Sequence, residues 1–86
     1  MEILEIRKGL RKLNFTPKED AKASHAGTHV LVEFEVADQL AADQLVLINL
    51  GLRDGVQREL QGRPRLITQS SGNGQSFTYR LEGDVA

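Results

Sequence analysis

A short run rich in β-formers and a strictly alternating run meet at Gly72-Asn73-Gly74, and that junction constrains the fold more than any other feature of the chain. Ahead of it stands Arg65-Leu66-Ile67-Thr68-Gln69. Behind it, Phe77, Tyr79 and Leu81 alternate with Ser76, Thr78 and Arg80. A period of two sends alternate side chains to opposite faces, and a glycine-flanked asparagine suits a tight reversal, so the pattern predicts a β-hairpin of two half-buried strands. Just upstream, Gly62-Arg63-Pro64 interrupts the chain, and before that break Leu52, Val56 and Leu60 recur every four residues. That spacing predicts an amphipathic helix over residues 52–61, packed by its Leu-Val-Leu stripe. Arg53, Gln57 and Gln61 would then face outward, with Arg58 beside them.

Length bounds the remainder. Eighty-six residues, with no cysteine and no run of eighteen apolar residues, imply one soluble domain with a small core and no disulfide or cysteine-held zinc to reinforce it. With no secretory apolar stretch either, the expected location is the cytoplasm. Dimerisation is a natural source of additional stability. The aromatic residues are Phe15, Phe34, Phe77 and Tyr79, too few for a platform on which single-stranded bases could stack.

Further upstream, Ile3, Ile6, Leu10 and Leu13 repeat at three- and four-residue spacing and predict a helix over residues 2–13, weakened by Gly9. Thr16-Pro17-Lys18-Glu19 reads as a helix start, with threonine as the cap and proline at the first helical position, leading to a short helix ending near Ser24. Residues 29–36 alternate cleanly and predict a strand with Val30, Val32, Phe34 and Val36 on one face. Residues 38–50 are ambiguous. Asp38 can cap a helix carrying Leu40, Ala41, Gln44, Leu45 and Ile48 on related faces, Gln44 being the only polar member, whereas Gln44 to Leu50 also forms a nearly continuous apolar run fit for a buried strand. The helix is the favoured reading.

Charge is unevenly spread along a chain of net charge −1. Residues 1–18 carry Arg7, Lys8, Arg11, Lys12 and Lys18 against Glu2 and Glu5. Residues 52–80 carry five arginines against Asp54 and Glu59. Between them, residues 19–43 set six acids against Lys22 alone. The chain therefore has a basic start, an acidic middle and a second basic segment, a distribution that suits an anionic polymer on one side and solvent or a partner on the other.

Taken in order, helix, short helix, strand, helix, tight turn at Asn49-Leu50-Gly51, helix and hairpin make an α+β domain that resembles the winged helix-turn-helix superfamily over about residues 28–82, with residues 1–27 as an N-terminal helical part. The stretches that carry the resemblance are residues 47–60, 65–68 and 77–81. The resemblance implies a recognition helix in the DNA major groove and a wing on the flanking backbone. It places Arg53, Gln57, Arg58 and Gln61 toward the groove, and Arg63, Arg65, Asn73 and Gln75 on phosphates. The implied function is a small DNA-binding regulator with duplex DNA as partner, in which Arg53 and Arg58 outweigh Arg7 and Arg11. The alternative is a protein-binding adaptor or accessory subunit on the same scaffold, possessing no nucleic-acid contact and able to form a homodimer.

Enzymatic chemistry is not expected. His25 and His29 stand four apart, but Gly27 and the following strand spoil the geometry for a shared metal, and they read as exposed loop histidines. Ser70, Ser71 and Ser76 lack a nucleophile-elbow pattern, and Gly72-Asn73-Gly74 lacks the lysine and helix of a phosphate loop. No cofactor, metal or membrane association is predicted.

Overall fold

Alternation with period two, rather than helical periodicity, governs nearly the whole chain. In the computed structural model, which describes residues 1–17, 29–52 and 54–85, eight antiparallel strands form two four-stranded sheets, and no helix occurs among the described residues. The strands are β1 (Glu2–Lys8), β2 (Arg11–Lys12), β3 (Thr16–Pro17), β4 (His29–Val36), β5 (Val46–Gly51), β6 (Gln57–Gly62), β7 (Arg65–Ser71) and β8 (Gln75–Asp84). The first sheet runs β2-β1-β5-β6 and the second β3-β4-β8-β7. The α+β winged-helix architecture expected from sequence is thus replaced by an all-β sandwich.

Each sheet contributes one apolar face to a shared core. Ile3, Ile6, Val46, Ile48, Leu50 and Leu60 come from the first sheet, and Val30, Val32, Phe34, Val36, Phe77, Tyr79 and Leu81 from the second. Phe34 and Tyr79 are directly opposed across β4 and β8, their rings stacked with centroids 6.0 Å apart. Leu40 caps this core from the loop between sheets, where its backbone N–H donates to the Tyr79 hydroxyl at 2.8 Å. A buried phenol thereby gains its partner while tying down the loop.

The helices predicted over residues 2–13, 38–50 and 52–61 give way to strands and turns for identifiable reasons. The three-residue spacing of Ile3 and Ile6 arises from a β-bulge: β1 pairs Ile3 with Leu50 and then Glu5 with Asn49, leaving Leu4 as the extra residue. Without that bulge two residues three apart would lie on opposite faces. Gly9, which weakened the helix, adopts φ +63° in the turn between β1 and β2. The four-residue spacing of Leu52, Val56 and Leu60 is an even number and cannot distinguish a helix from a strand. Leu52 N–H instead donates to the Val56 carbonyl at 2.8 Å and Gly55 N–H to the Leu52 carbonyl at 3.0 Å, hydrogen bonds of a chain reversal and not of a helix. β6 follows the reversal, with Leu60 buried and Val56 only half-buried.

In residues 38–50 the strand reading prevails over the helix, because Val46, Ile48 and Leu50 are buried while Leu47 and Asn49 alternate with them. Thr16 and Pro17 pair with Glu35 and Phe34 at the edge of the second sheet, where a missing proline N–H is tolerated. The remainder of that predicted helix, residues 18–24, lies outside the described residues, as does His25. The strand over 29–36 matches expectation in place, and the hairpin at residues 72–74 in place and pairing. β8 is half-buried as expected; β7 is exposed along its whole length.

The two sheets approach closely where β6 meets β8. A methyl group at Gly62 would stand 2.8 Å from Leu81 Cδ1, and one at Gly83 would stand 3.2 Å from Leu60 Cδ1. Two glycines thus let the strands come together before Arg63-Pro64 carries the chain across to β7.

Candidate nucleic-acid interface

The block Arg7-Lys8-Gly9-Leu10-Arg11-Lys12 becomes a two-stranded ribbon closed by a two-residue turn, since Arg7 stands opposite Lys12 and Lys8 opposite Arg11. Glycine at the first turn position, at positive φ, suits the twist of the flanking strands. Leu13 N–H donates to the Ile6 carbonyl at 2.8 Å and continues the ribbon toward the core. Strand alternation sets Arg7 and Lys12 on the outer side with Glu5, and Lys8 and Arg11 on the other side. The ribbon carries cations on both faces.

Like charges directly opposed across two strands are destabilising. Glu5 offsets one pair through an ion pair with Arg7 and a longer approach, 3.9 Å, to Lys12 Nζ. Lys8 and Arg11 make no ion pair among the described residues. At the tip Leu10 is 96% exposed, the most solvent-accessible large apolar residue of the described chain. Nothing in the core accounts for a bare leucine between four cations.

The residues singled out from sequence do not form one surface. Gln57 and Gln61 are exposed on the outer face of the first sheet with Glu59 between them, and Gln57 accepts a hydrogen bond from Asn49 Nδ2 at 3.2 Å. Arg58 points to the opposite side, registered against buried Leu50, half-buried, and donating to the Gln57 carbonyl at 3.1 Å. Arg63 is exposed at the crossing between sheets. Arg65 begins β7 opposite Arg80, which is held by Glu33 at 2.6 Å, and Asn73 and Gln75 lie exposed at the second hairpin's turn. Arg53 lies outside the described residues. A strand period of two divides what a helix period would have gathered, and with the helix gone the geometric reason for ranking Arg53 and Arg58 above Arg7 and Arg11 is gone as well.

Sequence reasoning missed Lys8, Leu10 and Arg11 as a unit. The signal was present in the near-mirror arrangement of two cations on either side of Gly9-Leu10, a hairpin signature concealed by the accidental helical spacing around it.

The outer face beyond the ribbon has different chemistry. A shallow groove there is lined by Glu5, Arg7, Leu47, Asn49 and Glu59, with Glu5 and Glu59 both in register with Asn49 from opposite sides. Its acids disfavour phosphate. At the far end of β4, His29 opens a strand rather than sitting in a loop, and its ring bridges Glu82 (Nε2, 3.2 Å) and Asp84 (Nδ1, 3.2 Å). Both nitrogens can donate only in the imidazolium form. The hydrogen bonds to Glu82 and then Asp84 raise the His29 pKa above its ordinary value.

Comparison with known proteins finds no match to a family model, to a curated protein or to a solved structure. No helix among the described residues is long and apolar enough to cross a membrane.

Proposed function

We propose that the protein binds duplex DNA through the β1–β2 hairpin, seated tip-first in the major groove. One observation carries this reading: a narrow ribbon with cations on both faces and an exposed leucine at its end. A groove about 12 Å wide admits a two-stranded ribbon and presents phosphates along both walls, which matches two-sided charge. Opposition of Lys8 and Arg11 is unfavourable in the free protein and is relieved when each meets a phosphate. Leu10 then reaches the groove floor, where thymine methyl groups offer an apolar contact. A membrane surface presents anions in one plane and would engage one face of the ribbon only.

Four phosphate contacts correspond to a slope of about −3.5 in log affinity against log salt, and binding of this kind at physiological salt falls at about 10⁻⁴ to 10⁻⁶ M. Glu5 and Glu59 confine the contact to the ribbon. The test is fluorescence anisotropy of a short duplex titrated with protein at several salt concentrations. Replacing Lys8 and Arg11 together by alanine should reduce the slope by about 2 and weaken binding at low salt. An unchanged slope, or preference for phosphatidylserine vesicles over the duplex, contradicts the proposal. A second reading, that the protein is a module for protein contact, is favoured by one specific feature, the open edge of β7.

A further inference from the structure

We infer that β7 is the pairing edge for a second copy of this chain, joined antiparallel about a two-fold axis at Gln69. The inference is independent of the DNA reading and uses a different surface. β7 has β8 on one side and, among the described residues, no strand on the other, and all seven of its residues are exposed. Natural sheets protect such edges by making them short, charged or proline-bearing. The other edges follow that rule: β2 has two residues, both cationic, β3 has two residues including Pro17, and β6 carries Arg58 and Glu59. β7 is long, and Arg65 at its start is its single charge.

The register explains why the occupant is another β7. A bulge at Ile67 separates Leu66, opposite Tyr79, from the regular stretch in which Thr68, Gln69, Ser70 and Ser71 oppose Thr78, Phe77, Ser76 and Gln75. Directly opposed residues share a face, so Thr68 and Ser70 lie on the outer face and Gln69 on the inner one. Two-fold pairing at Gln69 sets Thr68 against the other copy's Ser70, outer against outer, and Gln69 against Gln69, inner against inner. These opposed pairs are neutral and able to hydrogen-bond through hydroxyls or amides, while Ser71 falls against Ile67 at the bulge, again without charge. Arg65 falls beyond the regular stretch, far from its own copy, whereas pairing β7 with β2 would bring it beside Arg11 and Lys12. Charge thus permits self-pairing and penalises the nearest alternative. With so short a strand pair, association is weak, with a dissociation constant on the order of micromolar or above.

Sedimentation equilibrium of the full chain over a wide concentration range reads the result directly. Wild type should shift from monomer to dimer as concentration rises. Replacing both Thr68→Lys and Ser70→Lys sets lysine against lysine at two positions and should weaken association roughly tenfold or more. Mixing that protein with a Thr68→Glu, Ser70→Glu counterpart should restore dimers as heterodimers. Because the chain has no cysteine, Gln69→Cys provides a second measurement that does not depend on the charged variants folding. It should oxidise to a disulfide-linked dimer faster than Gln75→Cys at the turn. Wild type that remains monomeric throughout, lysine variants that dimerise normally, or equal cross-linking at positions 69 and 75 would each overturn the inference.

Discussion

The two terminal hairpins of this molecule are built alike and charged differently. β1–β2 turns at Gly9-Leu10 with four cations around an exposed leucine, whereas β7–β8 turns at Gly72-Asn73-Gly74 with a neutral tip of serine, asparagine and glutamine. Sequence reading assigned recognition to the neighbourhood of the second and helical scaffolding to the first. β1 is anchored in the core by Ile3 and Ile6 and presents charge at its end; β7 is peripheral, exposed and almost uncharged. Hairpin geometry alone therefore says nothing about partner. The side chains that alternation places on each face do.

The largest effect expected from breaking this contrast is on stability. Ile6 is fully buried and Ile67 is 38% exposed, so Ile6→Asp should cost several kcal/mol through an unpaired buried charge, while Ile67→Asp should cost about 0.5 kcal/mol or less. Chemical denaturation of both variants measures the difference. Comparable losses would mean that β7 is covered in solution by something other than solvent.

A smaller effect discriminates by sign. In a helix, Gly9→Ala would stabilise by about 1 kcal/mol. At φ +63° in a hairpin turn the same change should destabilise by about 1 kcal/mol, because alanine adopts that conformation poorly. Gly72→Ala, at an ordinary φ with open space around the added methyl, should be close to neutral. Thermal melts of the two variants provide the comparison.

The smallest effect concerns the end of β8 remote from its turn. His29 has a folded-state pKa above its unfolded value, so the stability from its bridge to Glu82 and Asp84 is fully present below the ordinary histidine value near 6.5. It is lost as pH rises through the raised value. His29→Gln should abolish this dependence, leaving a melting temperature that is flat across that window. A wild-type profile already flat there would show that the bridge contributes nothing.

Legibility from sequence followed the regularity of the backbone. β4 and the β7–β8 hairpin were readable because alternation is unbroken in β4 and along β8 from Ser76 to Leu81, and because Gly72-Asn73-Gly74 names its own turn. β1 was unreadable because one bulge residue, Leu4, converts a period of two into a spacing of three. β6 was unreadable because Val56 and Leu60 are four apart, an even interval that helix and strand share. In β5 the outward Leu47 is itself apolar, which hid the alternation with Val46, Ile48 and Leu50. For the candidate site, the excess of cations near the N-terminus was visible. Their opposition across a ribbon was not, since it depends on a turn at Gly9 that the apparent helical pattern obscured.

In the proposed function the β1–β2 ribbon, and not the second hairpin or β6, meets nucleic acid. Amide chemical shifts followed by NMR while generic duplex DNA is added, at low and at moderate salt, test it most directly. Salt-sensitive shifts should concentrate at residues 7–12, with residues 57–65 and 72–75 unmoved. Shifts centred on residues 57–65 or 72–75, or none at residues 7–12 even at low salt, would contradict it.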